Sequence, residues 1–258
     1  MPLDAQYCQE YRRCIGFTNQ QTTKDYLSAK DIIADVDYKY VDQLIARVRD
    51  MYAHFNSAIH ESVRERDFAE FAKHAIHIPF ERIKSEDLIK TLNNQGRRPE
   101  QVLFNWLRGY AATEFMRPAI AHVFQVDPLS IESIGDDDFT SRETFRRTPR
   151  ADLKVRVGKK TLRLEVQAGF QGINDVKQHK WLEATKVLTY SGDHTVCIHC
   201  DFYNGHVAFI PLSKIPENDM HWITRQQMEG QTVYNIDQNR FAWGLMNRPP
   251  RLDELELE

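Results

Sequence analysis

No apolar run in this chain approaches the length that a membrane-spanning helix needs. The first residues bring Asp4, Glu10, Arg12 and Arg13 close together, where a secretory leader would need an apolar stretch. Both absences lead to the expectation of a cytoplasmic protein whose four cysteines are reduced thiols rather than a disulfide frame. No internal repeat and no long linker stands out. A strong charge of one sign is missing as well. The net charge of −3 excludes a uniformly basic coat for nucleic acid, but it leaves room for a local basic groove. What remains is a chain of 258 residues, 41% hydrophobic and 28% charged, in the proportions of one large soluble domain or two small ones.

The informative stretch is Ala151–Gln167. Leu153, Val155 and Val157 alternate with Asp152, Lys154 and Arg156, and Leu162, Leu164 and Val166 alternate with Arg163, Glu165 and Gln167. Each is a period-two pattern with one apolar and one polar face, so each reads as a strand. Gly158-Lys159 between them suits a two-residue II′ turn. That register pairs Val157 with Lys160, Val155 with Leu162 and Leu153 with Leu164, and it sets Asp152 opposite Glu165. Opposed Cβ atoms lie roughly 4.5–5.5 Å apart, and two like charges held there repel. A four-residue loop would set Gln167 opposite Asp152 instead, with Glu165 diagonal to it. Either register leaves both carboxylates able to reach one ion. Oxygen ligands of this kind suit Mg²⁺.

The plain alternative is a solvent-facing hairpin, with Asp152 beside Arg150 and Glu165 beside Arg163. The flanks argue against it. Nine basic residues lie between Arg142 and Arg163 (Arg146, Arg147, Arg150, Lys154, Arg156, Lys159 and Lys160 among them), interrupted only by Glu143 and Asp152. A stripe of this kind is the electrostatic footprint of a phosphate backbone. Arg146, Arg147, Arg150, Lys154, Lys159 and Lys160 are therefore the expected DNA contacts.

Pro149-x-x-Asp152, twelve residues, then Glu165-x-Gln167 resembles the active-site signature of the PD-(D/E)xK nuclease superfamily, to which most type II restriction endonucleases belong. The resemblance spans Phe104 to Ile210 as an element pattern. It implies an α/β fold with a central mixed β-sheet flanked by helices, a restriction endonuclease-like core at 97–258 and a helical region at 1–96 for dimerisation or DNA contact. It also implies Mg²⁺ as cofactor, double-stranded DNA as partner and a homodimer. Asp152 and Glu165 would then be catalytic metal ligands, with the backbone carbonyl of Val166 as a further ligand. Gln167 stands where the family has lysine. Glutamine is neither a base nor a cation. Three outcomes stay open: the metal alone activates water, Lys177 or Lys180 reaches in from the next helix, or the chain binds DNA without cutting it. A repair or recombination nuclease is the alternative substrate class.

The rest of the chain supplies the frame. Apolar residues from Val41 to Ile59 predict a long helix over about Lys39–Arg66, then a second helical stretch near Phe68–Ile76 that Pro79 breaks. Ser85-Glu86-Asp87 should open a short helix ending at Gly96, and Pro99 begins another. On that helix Glu114 continues the face of Leu103, Leu107 and Tyr110. It is expected to pair with Arg117, while the family resemblance would make it an accessory metal acid. Pro118 should kink or end the helix. Leu129–Ile134 is expected to be a first strand, Asp136–Asp138 a solvated loop, and Ala168–Gly172 a loop before a helix starting near Ile173. On that helix Lys180 lies on the apolar side, its stem expected to cover the core. His194, Cys197, His199, Cys200 and His206 suggest zinc, but strand alternation from Thr195 to Phe202 puts Cys197 and Cys200 on opposite faces. Asn204-Gly205 marks a hairpin turn. Trp222, Tyr234, Phe241 and Trp243 near Arg225, Arg240 and Arg248 read as a closing layer of core, with base stacking as the sharper option.

Overall fold

The computed structural model describes residues 4–17, 19–29, 31–93, 97–135, 139–145, 150–216, 221–225 and 231–255. Seven α-helices and nine strands are described: α1 (Ala5–Cys14), α2 (Gln20–Ser28), α3 (Tyr38–Ala58), α4 (Phe68–Ala72), α5 (Ile78–Ser85), α6 (Pro99–Phe124), β1 (Glu132–Ser133), β2 (Leu153–Val157), β3 (Lys160–Gly169), β4 (Asp175–Lys177), α7 (Gln178–Ser191), β5 (His194–Asp201), β6 (His206–Ile210), β7 (Trp222–Arg225), β8 (Gln231–Asn235) and β9 (Phe241–Gly244). A six-stranded sheet runs β1-β2-β3-β5-β6-β9, and a three-stranded sheet runs β4-β8-β7. The β3–β5 pair is parallel and every other pair in the large sheet is antiparallel. The sheet is therefore mixed and flanked by helices, with a helical region before it.

The layering follows from the alternation in the strands. One face of the large sheet presents Leu153, Val155, Leu162, Leu164, Val166 and Ile198, which share a core with α3 and α6. The other face presents Cys197, Ala208 and Ile210 to Trp181 and Ala184 of α7 and to Tyr234 of the small sheet. Tyr52 of α3 joins the helices to the sheet, with its ring 5.3 Å from Phe115 and 6.2 Å from Phe202. Among the described residues no helix is long and apolar enough to cross a membrane.

Several boundaries differ from those expected. α3 stops at Ala58, and a short 3₁₀ turn at Glu61–Val63 follows it. Pro79 does not break its helix. A π-helical turn at Lys73–His77 precedes it, and the proline falls in the first turn of α5, where no N–H is required of it. Ser85 ends α5 instead of opening a new helix, and Asp87 turns the chain at φ +55. Gly96 and Asp136–Asp138 lie outside the described residues. α6 carries Pro118 in its interior and continues to Phe124. It is the central helix, with fourteen buried residues, and packing on several sides holds it through the missing hydrogen bond. The strand expected at Leu129–Ile134 is only Glu132–Ser133. β3 runs on through Ala168 to Gly169, and β4 takes up part of the expected start of α7.

Candidate active site

The β2–β3 hairpin has the expected register. Val157 pairs with Lys160, Val155 with Leu162 and Leu153 with Leu164. Gly158 has φ +59, and Lys159 does not share a positive φ, which is the II′ pattern. Val207 and Trp243, from strands farther along the sheet, complete the same core.

The regular ladder stops at Leu153, and Asp152 occupies an irregular position just beyond it. Its carbonyl accepts from the N–H groups of both Ile134 (2.9 Å) and Gly135 (3.2 Å), two residues against one, as in a β-bulge. Its own N–H donates to the Leu164 carbonyl at 3.1 Å. The bulge turns the Asp152 side chain onto β3, where Oδ2 accepts from the Val166 N–H at 2.7 Å. Burial raises the Asp152 pKa, against the opposing pull of Lys180 and the Val166 N–H.

Glu165 lies on the α7 face of the sheet and is buried. Burial, and then the neighbouring Asp152, push its carboxyl up to about 8. The compensating charge comes from α7. Lys180 Nζ lies 2.7 Å from Glu165 Oε1 and 2.8 Å from Oε2, and it also donates to the Arg150 carbonyl at 3.3 Å. The expectation that Lys180 merely covers the core with its stem is thus corrected. Its ammonium is drawn down to Glu165, whose buried carboxyl calls for a compensating charge. A recess lined by Arg150, Ala151, Arg163, Glu165 and Lys180 opens beside the pair.

Gln167 faces the same side as Glu165, but its amide is otherwise engaged. Nε2 donates to the Asp175 carbonyl at 2.6 Å, and Oε1 lies 3.9 Å from Cys197 Sγ. It ties β3 to β4 in this structure, where the expectation was that it orients water or phosphate. The Val166 N–H donates to Asp152. N–H and C=O of one residue point the same way in a strand, so its carbonyl faces the same margin. Glu114 is paired with Arg117 at 2.7 Å, and Arg117 also holds the Ile131 carbonyl at 3.0 Å. That pairing matches the plainer of the two readings for Glu114.

Of the expected DNA contacts, Arg146 and Arg147 lie outside the described residues, as does Pro149. Lys154 sits opposite Arg163 and is bridged to Glu132 at 3.1 Å, while Arg163 is bridged to Asp193 at 3.0 Å. Each of these cations answers an acid of its own, which relieves the repulsion across the strands. Arg150, Lys159 and Lys160 are exposed. Cys197 belongs to the α7-side core and Cys200 to the α3/α6-side core, so the two thiols face opposite ways. His199 is buried with Nε2 2.8 Å from Asn174 Oδ1. Three or more His, Cys, Asp or Glu side chains do not gather at a metal-binding spacing among the described residues.

No protein-family model matches the chain, and no curated protein matches it. Among solved structures it is similar to Archaeoglobus fulgidus Hjc, a Holliday junction resolvase from an archaeal hyperthermophile. The identity is 14%, the alignment covers 51% of this chain and 90% of that one, and the TM-score is 0.31.

Sequence reasoning missed two features of this region. The bulge at Ile134–Gly135 re-aims Asp152, and the only hint of it is the glycine after a short apolar run. The Asp175–Gln167 tie was invisible because β4 is three residues long and pairs only with a strand some sixty positions away.

Proposed function

We propose that this protein is a Mg²⁺-dependent endodeoxyribonuclease that cuts double-stranded DNA by phosphodiester hydrolysis, of the site-specific type II restriction kind. The observation that carries the reading is half-buried Asp152 beside buried Glu165, both carboxyls raised, with Lys180 bridged to Glu165. The family resemblance of Pro149, Asp152 and Glu165 supports it.

The donor chemistry fits a hard divalent cation. Mg²⁺ takes one or two carboxylates and leaves its other positions to water and phosphate. Asp152 and Glu165 would hold it, with the Val166 carbonyl beside them. When bound, such an ion supplies Lewis-acid polarisation of a phosphoryl oxygen and acidifies water. The protein's own part falls to Lys180. An ammonium has three N–H donors, and here it lies within reach of both Glu165 oxygens and the Arg150 carbonyl. In the reaction it would turn one of them from these acceptors to a phosphate oxygen or the attacking water. This is the role the superfamily gives to the lysine two residues after the second acid, delivered here from α7. Arg150, Lys159 and Lys160 bind the DNA backbone, as do Arg146 and Arg147. On a palindromic target the enzyme acts as a symmetric dimer in the cytoplasm.

The test is incubation of the purified protein with a sequenced plasmid and Mg²⁺, followed by mapping of the ends. Discrete ends at a fixed sequence are expected. Preference for branched over linear duplex would assign a recombination nuclease instead. Salt-sensitive DNA binding with no cleavage in Mg²⁺ or Mn²⁺ would overturn the catalytic reading.

A further inference from the structure

Arg108 is a cation with no anion among the described residues. It lies on α6, with its guanidinium 4.4 Å from the centroid of Phe170 and 5.4 Å from that of Phe104. The side chain makes a single hydrogen bond, from Nη2 to Asn105 Oδ1 at 3.1 Å. Its Nε is buried without a partner. Every other half-buried arginine among the described residues has found a carboxylate: Arg117 has Glu114, Arg163 has Asp193 and Arg225 has Asp175. Arg108 has none among the described residues. A desolvated guanidinium without a counter-ion is costly, and a buried donor left unsatisfied needs a reason.

The aromatic setting holds this cation still. Phe170 stacks on Phe202 at 5.6 Å and 17°, and Phe202 stacks on Phe55 at 4.6 Å and 15°. Arg108 thus ends a column of three rings rooted in α3 and β5. A side chain held flat this way has already lost its rotamer freedom, so binding costs it little more. Phe170 directly follows β3, four residues beyond Val166. At the rise of a strand that is roughly 13 Å from the acids. Two residues away on α6, the Trp106 indole donates to the Thr144 carbonyl at 3.1 Å, on the segment that leads to Arg150. Arg108 therefore lies toward the Gly169 end of β3, on the α6 side of the sheet where Glu165 is on the α7 side, and the separation along β3 is well within one turn of duplex, roughly 34 Å.

We propose that Arg108 is a phosphate-binding residue, whose clamped guanidinium takes a backbone phosphate of the strand that lies across Asp152 and Glu165. The planar fork of an arginine matches two phosphate oxygens, and the ring behind it leaves its edge for that contact. The inference rests on the nucleic-acid reading above and adds to it a contact outside the basic stripe.

The test measures binding of a fluorescein-labelled duplex in EDTA, where no cleavage occurs, across a range of NaCl. Arg108→Met keeps the stem between the two rings and removes the charge. It should weaken binding about tenfold and make the plot of log affinity against log salt less steep by about 0.9, one phosphate contact. Arg108→Lys should keep the steeper slope. Arg108→Gln provides the same reading if the methionine variant melts early. A packing role would lower the melting temperature and leave the slope alone. A wild type that binds, with both neutral variants on its slope, overturns the Arg108 proposal and leaves the nuclease reading standing. A wild type with no salt-dependent affinity for duplex overturns both.

Discussion

Two sets of acids, one on the large sheet and one where the two sheets meet, are treated in opposite ways. Asp175 and Asp201 are both buried. Asp175 receives both arms of Arg225, at 2.9 and 3.1 Å, and the Asn235 amide at 2.9 Å. Asp201 takes the side-chain amides of Asn174 and Asn204 and the N–H groups of Tyr203 and Asn204. Burial alone would raise the Asp201 pKa, yet those donors together bring it below its ordinary value. Glu165 is also buried and Asp152 half-buried, but here the Val166 N–H on Asp152 and Lys180 on Glu165 leave both carboxyls raised. Burial by itself therefore marks nothing. The first pair is a finished structural joint between the two sheets. The second is short of positive charge, and that shortage is what a metal ion would fill.

Removing either member of the under-compensated pair should have the largest effect. Asp152→Ala is expected to abolish cleavage, by roughly 10³-fold or more, while duplex affinity in EDTA stays within a few-fold. Cleavage by that variant at the wild-type rate would remove the distinction between the two pairs. Lys180→Met comes next, with a loss of about 10²-fold in cleavage rate, whereas Gln167→Lys should bring no gain because Lys180 already fills the role. If Gln167→Ala proved more harmful to rate than Lys180→Met at equal thermal stability, the lysine would be only a structural counter-ion.

The satisfied pair should answer in stability, not in chemistry. Arg225→Met leaves Asp175 buried with Asn235 as its one remaining side-chain donor. A loss of about 1–3 kcal/mol is expected, read as a fall in melting temperature of roughly 2–4 °C per kcal/mol. The cleavage rate of the folded fraction should be unchanged. A large rate loss without a change in melting would mean that the joint also shapes the site.

Much of this contrast was legible in the sequence, for a definite reason. Leu153, Val155, Leu162 and Leu164 alternate strictly, and a II′ turn admits a single register, so local rules sufficed to set the hairpin as far as Leu153, and the irregular position of Asp152 just beyond it lay outside their reach. Cys197 and Cys200 were separable by the same alternation. Lys180 was noticed because a cation on an apolar helix face is anomalous, but its partner is fifteen positions away and follows only from how α7 crosses β3. Pro79 and Pro118 misled for the opposite reason. Proline's local preference is outweighed where a π turn or dense packing supports the helix. Arg108 carries no local signal at all, since its isolation is a property of Phe104, Phe170 and the missing carboxylate together.

The smallest expected effect is also the most direct measure of the charge deficit. Glu165 has an ordinary value of 4.5 and a folded value of about 8. The folded state binds that proton more tightly than the unfolded chain does, so its stabilisation is complete below the unfolded value. It is lost as pH rises from about 4.5 to about 8. Asp152 shifts in the same direction and adds to the slope. Glu165→Gln removes the Glu165 part. The melting temperature of the wild type, minus that of the variant, should therefore fall across this window, and subtraction cancels the other carboxylates. Mg²⁺ acts on the same deficit. Added at the top of the window it should raise the wild-type melting temperature, and lower down it should do less, because protons compete for the same oxygens. Parallel melting curves for the two proteins, with an equal response to Mg²⁺, would mean that Lys180 already balances Glu165, and that the two acid pairs differ in geometry but not in charge.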